Sequence, residues 1–70
     1  MKDKYTITIF WSDEDNAYIG VAEELKGCSA WGATYEDALR ETKSAMALWL
    51  ETAEQEGFTI PEPKGHKRAA

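Results

Sequence analysis

Between Thr34 and Gly57 the pattern Tyr35, Ala38, Leu39, Thr42, Met46, Trp49, Leu50, Ala53 recurs at helical spacing. One helix from Tyr35 to Glu56 would run about 33 Å at ~1.5 Å per residue. In a chain of 70 residues that leaves room for one small domain, built around whatever covers the helix's apolar stripe. The ends of the helix are written in local chemistry. Thr34 reads as an N-cap, with Asp37 three residues on, and Glu36 and Asp37 suit the positive end of the helix dipole. Gly57 predicts a left-handed stop, with Phe58 folding back toward Ala53. Glu36, Arg40, Lys43, Glu51 and Glu54 fall on the outer side, where Glu36 and Arg40 stand at a supportive i, i+4 spacing. Leu48 leaves the stripe and points away from it.

Strands precede the helix. Tyr5 to Ser12 alternates strictly and is rich in aromatic and β-branched residues, with Tyr5, Ile7, Ile9 and Trp11 on one face and Thr6, Thr8, Phe10 and Ser12 on the other. Residues 13–16 (DEDN) form a turn cluster, and residues 17–22 (AYIGVA) a second strand, which predicts an antiparallel hairpin. Matching aliphatic residues across the pair favours an odd loop, Glu14 to Asn16. That register places Ile9 near Val21, Trp11 near Ile19, and Phe10 with Tyr18 on the opposite face. Residues 23–27 form a connection anchored by Leu25, and residues 28–31 (CSAW) predict a third strand. The expected fold class is α+β, a three- to four-stranded, mainly antiparallel sheet packed on one long helix. Residues 1–63 are read as the domain and 64–70 as a flexible basic tail.

Charge narrows the function. All thirteen acidic residues precede Lys64, against five of the eight basic ones, so residues 1–63 carry −8 and Lys64, Lys67 and Arg68 return +3. Such a body repels nucleic acid and attracts basic partners, and direct DNA binding is not expected. The longest unbroken apolar run, Ala45 to Leu50, is far below the ~20 residues that span a bilayer. The N-terminus has no signal-peptide core, so a cytoplasmic, soluble protein without membrane contact is expected. A core this small is marginal, since a domain of about 60 residues buries only about 60% of its unfolded surface. A homodimer or higher oligomer is the expected remedy.

Catalytic chemistry finds little to work with. A nucleophilic cysteine needs a base within reach, and the only histidine, His66, lies in the tail. Cys28 is better explained as a small buried residue entering a strand. No second His or Cys stands at ligand spacing from His66. Asp13, Glu14 and Asp15 lack the alternation and glycine of a calcium loop. The glycines fit neither a P-loop nor a dinucleotide fingerprint. No enzyme activity, metal or cofactor is expected. Trp49 belongs to the core stripe, whereas Trp31, Phe10 and Tyr18 are expected on a sheet face that one helix cannot cover, which suits a protein interface.

Taken in order, these segments resemble the HicB-like antitoxin family: the amphipathic first strand, the acidic turn SDEDNAY, EELKGC closing the second strand, GATYEDAL opening the helix, ALWLETAEQEG closing it, and IPEP. The resemblance covers about residues 5 to 63. It implies a β-β-β-α-β arrangement similar to a truncated ribonuclease H core without its catalytic carboxylates. It further implies a partner of the HicA type, a small basic toxin with a double-stranded-RNA-binding-like fold that cleaves messenger RNA through a histidine. Lys26 stands where family members commonly have proline before the Gly-Cys pair. Many members continue into a DNA-binding module for which these 70 residues leave no room, so autoregulation of transcription by this chain alone is not expected. The contact residues expected from exposure are Asp13, Glu14, Asp15, Glu23 and Glu24, with Phe10, Tyr18, Trp31 and Leu48 available for self-association or partner burial.

Overall fold

The structure, a computed structural model, describes residues 4–65. The expected His66, Lys67 and Arg68 portion of the tail lies outside the described residues. Three strands, β1 (Ile7–Ser12), β2 (Ala17–Ala22) and β3 (Ser29–Gly32), precede one helix, α1 (Tyr35–Glu56). They form an antiparallel sheet in the order β1-β2-β3, with α1 lying mainly over β3 and β2. The α+β class is as expected, and the sheet takes the smaller of the two strand numbers. After the helix, residues 58–65 form no strand. Pro61 and Pro63 supply no backbone N–H there. Tyr5 instead ties the segment down, its hydroxyl donating to the Pro61 carbonyl.

Both helix ends follow the sequence. Thr34 is extended (φ −132°, ψ 168°), and its Oγ1 accepts from the Asp37 N–H at 3.0 Å, a cap worth about 1 kcal/mol. Gly57 is left-handed at φ 77°, and the Phe58 N–H donates to the Ala53 carbonyl at 2.8 Å, closing the helix as a Schellman turn does. Arg40 is a correction: its guanidinium pairs with Asp37, three residues back, rather than with Glu36.

The hairpin register also corrects the expectation. Ser12 pairs with Ala17, Ile9 with Gly20 and Phe10 with Ile19, a four-residue loop with Asn16 at φ 52°. The aliphatic match fails because α1 comes too close to β2 and β3 at Gly20 and Gly32 to leave room for a side chain there. A Cβ on Gly20 would overlap Thr42 Oγ1, and one on Gly32 would lie 2.5 Å from the Ala38 nitrogen and 2.7 Å from the Asp37 carbonyl carbon. Contacts below 3.0 Å are not sustained by real Cβ atoms, so only glycine permits this approach. In β2 and β3 the face of the sheet beneath α1 therefore carries Gly20, Ala22, Ala30 and Gly32, opposite Ile7 and Ile9 of β1, and the branched residues Ile19 and Val21 face away from the helix.

The interior has two parts. Under the N-terminal half of α1, Ala38 and Thr42 are fully buried against the glycines, and Thr42 Oγ1 is satisfied by donating to the Ala38 carbonyl at 2.7 Å. Under the C-terminal half, Tyr5, Ala22, Leu25, Cys28, Met46 and Leu50 form the bulky core, flanked by Ile7, Ala45, Trp49 and Ile60. Tyr35 and Leu39, expected on the buried stripe, are exposed instead. Tyr35 stacks on Tyr18 at a centroid distance of 4.4 Å, and Tyr18 meets Trp11 edge-on at 5.1 Å.

Candidate functional site

The strands carry no charged residue, so the face of the sheet turned away from α1 is apolar and hydroxylic. One row crosses all three strands. Phe10 stands opposite Ile19, and Ile19 opposite Trp31. A second row joins Thr8, Val21 and Ser29. Trp31 is 67% exposed and Phe10 46%. No other element of the described residues covers them.

Carboxylates mark both ends of this face. At the hairpin end Ser12 Oγ donates to Asp15 Oδ2 at 2.9 Å and accepts from the Asp15 N–H at 3.2 Å. Asp15 thereby lines a shallow depression of about 400 Å³ with Ile19 and Trp31. At the other end Glu23 accepts from Thr8 Oγ1. Asp13 belongs to the helix side, where it accepts from Trp11 Nε1 at 2.8 Å, and Glu14 is exposed at the tip.

The structure thus brings together Phe10, Trp31, Asp15 and Glu23, and adds Ile19 and Val21, which the assumed register had hidden. The signal that could have found them is the pair of glycines in β2 and β3 facing the small helix residues Ala38 and Thr42. Five expected residues do not join this surface: Asp13 and Glu14 of the hairpin turn, and Tyr18, Leu48 and Glu24. Tyr18, expected beside Phe10, lies on the opposite face against Tyr35 and Trp11, because the even loop reverses its side. Leu48, 64% exposed, lies on the helix side in a groove with Cys28, Trp49 and Phe58.

Glu24 is half-buried and does structural work. It accepts from the Thr6 N–H at 2.9 Å and Thr6 Oγ1 at 3.3 Å, and from the Lys64 N–H at 3.0 Å. Its carboxylate clasps the start of the sheet to the segment after the helix. The Lys64 N–H, then that of Thr6, holds its pKa below the ordinary value. Burial, then the carboxylates of Glu62 and Glu24, push the Tyr5 hydroxyl up, which keeps it the protonated donor to Pro61. A depressed carboxylate pKa stabilises the fold above the unfolded-state pKa, and that stabilisation is lost as pH falls through the folded-state value. Glu24→Gln should melt below wild type at pH 7, with the gap closing in acid below the ordinary carboxylate range. Thermal melts at both pH values check this, and a constant gap would remove the clasp's charge from the account.

Among the described residues Cys28 is the one nucleophile candidate named by the sequence. Cys28 is buried and free, and burial pushes its thiol up, away from the thiolate a nucleophile requires. Among the described residues no group of three His, Cys, Asp or Glu could hold a metal ion. No helix among them is long and apolar enough to cross a membrane.

Known proteins resemble this chain along most of its length. A family model described as the HicB-like antitoxin of bacterial toxin-antitoxin systems matches residues 5–69. A UPF0150 protein of Thermoplasma acidophilum is 34% identical over 58 residues, 83% of each chain. A UPF0150 protein of Synechocystis is 31% identical over 62 residues, 87% of this chain and 78% of that one. A UPF0150 protein of Helicobacter pylori is 43% identical over 37 residues, 53% of this chain, so the match spans about half of that protein's length (51%). No solved structure matches.

Proposed function

The chain belongs to the HicB-like antitoxins of bacterial toxin-antitoxin systems, and on that premise we propose that it sequesters a small basic RNA-cleaving toxin of the HicA type in the cytoplasm. The observation that carries this reading is the uncovered apolar sheet face held between carboxylates, on a domain whose residues 1–63 carry −8. Such a surface recognises cationic protein and repels the phosphates of RNA. The mechanism is occlusion: the antitoxin covers the surface through which the toxin would meet its RNA, and contributes no bond-making group of its own. Self-association belongs to the same proposal, with Leu48 and Phe58 leaving apolar area on the helix side.

Co-expression tests it. The chain, produced together with a HicA-type toxin encoded beside it, should relieve growth arrest and copurify as a complex. Growth arrest that persists despite abundant folded protein would overturn the reading. It would favour a stand-alone oligomeric domain that binds RNA or a small ligand.

A further inference from the structure

We propose that the sheet face opposite α1 is the docking surface for the basic partner, with Trp31 as its anchor and Asp15 as the counter-charge for a partner arginine; this rests on the sequestration reading above. The row Phe10, Ile19, Trp31 crosses the sheet from edge to edge, at the ~4.8 Å strand spacing, and ends on an indole 67% exposed at β3. Soluble domains leave a large aromatic so open chiefly where something else covers it. Tryptophan is also among the residues that dominate interface energies.

Charge identifies the occupant. Asp15 is held by Ser12 beside the depression formed with Trp31 and Ile19. A guanidinium placed there lies against the indole face and reaches the carboxylate, combining cation–π and charge-assisted contacts. Glu23, fixed by Thr8 at the other end, offers a second counter-charge. The strands contribute no lysine or arginine, so a second copy seated face to face would set apolar row on apolar row, and the row itself would offer nothing to neutralise Asp15 and Glu23. Nucleic acid is disfavoured by the same carboxylates. Of the cations of α1, Lys43 lines a different groove, with Glu36 and Leu39, and Arg40, which also borders a depression beside Trp31, is paired with Asp37 and accompanied there by Glu41.

The test uses the full chain and a HicA-type toxin whose catalytic histidine has been replaced, with affinity read by calorimetry. Trp31→Glu should weaken binding at least about 100-fold, as loss of a central aromatic anchor does, while Trp31→Phe should retain most of it. Leu48→Glu, on the helix side, should bind like wild type. Wild-type binding that survives Trp31→Glu but fails in Leu48→Glu would overturn the docking surface and leave sequestration standing. So would a free-protein dimer that dissociates on Trp31→Glu while toxin affinity is unchanged. No binding by wild type would remove both claims together. Because Trp31 is exposed, its variants should keep the wild-type melting temperature.

Discussion

Gly32→Ala should lower the melting temperature by about 10 °C, more than any exposed substitution in this chain. The added methyl would sit 2.5 Å from the Ala38 nitrogen and 2.7 Å from the Asp37 carbonyl carbon. These are backbone atoms in the first turns of α1, so relief requires the whole helix end to move. Overpacking of this kind costs ~1–3 kcal/mol, and each kcal/mol shifts the midpoint by about 4–8 °C in a domain of this size. Gly20→Ala meets a different neighbour, the Thr42 hydroxyl, with Thr42 Cβ at 3.1 Å and the Ala38 carbonyl oxygen at 3.3 Å. Thr42→Ala removes that hydroxyl. The double variant should therefore recover about 1 kcal/mol relative to the sum of the singles, within the range measured for contacting pairs, and the same Thr42 change should not rescue Gly32→Ala. Additive effects at Gly20 and Thr42, measured by thermal or denaturant unfolding, would show that the helix does not lie on Gly20.

The same close approach separates what could be read in the sequence from what could not. The helix was legible to the residue because its limits are local: Thr34 caps Asp37, and Gly57 takes the left-handed turn. The third strand and the burial of Leu25 were legible for similar reasons. The hairpin register was not. Pairing by aliphatic matching assumes that the covered face takes the larger residues, and here the distance to α1 reverses that preference, sending Ile19 and Val21 outward. Tyr18 and Phe10 consequently exchanged their expected companionship for opposite faces. Glu24 was misjudged for another reason. Its partners Thr6 and Lys64 are 18 and 40 residues away in sequence, and no local pattern announces a carboxylate that closes a domain. Of the expected contact residues, Asp15, Glu23, Phe10 and Trp31 share one surface, and the family resemblance, carried by ordered segments rather than by any one motif, did not depend on the register at all.

Reversing the hairpin acids, Asp13→Lys, Glu14→Lys and Asp15→Lys together, should slow association with a basic toxin about tenfold or more at low ionic strength. The change replaces three negative charges by three positive ones and takes a chain of net charge −5 to +1, enough to remove the attraction. Steered association can exceed the ordinary 10⁵–10⁶ M⁻¹s⁻¹ by two or more orders of magnitude. Salt should erase most of the difference, since surface charges are largely screened beyond ~8 Å at physiological ionic strength. Asp13 and Asp15 have intrachain partners in Trp11 and Ser12, so the melting temperature must be followed alongside the rate. A triple variant that folds normally and associates at the wild-type rate in low salt would remove steering from the account. Asp15→Lys alone should also raise the dissociation rate, because Asp15 borders the depression beside Trp31, whereas Glu14→Lys at the tip should act on association only.

The most direct measurement is RNA cleavage by a purified HicA-type toxin as the chain is titrated in. Occlusion predicts that cleavage falls in proportion to added chain and ends at a fixed molar ratio, without RNA being retained by the antitoxin itself. Cleavage that continues unchanged at a molar excess of folded chain would contradict the claim that this domain works by covering the toxin.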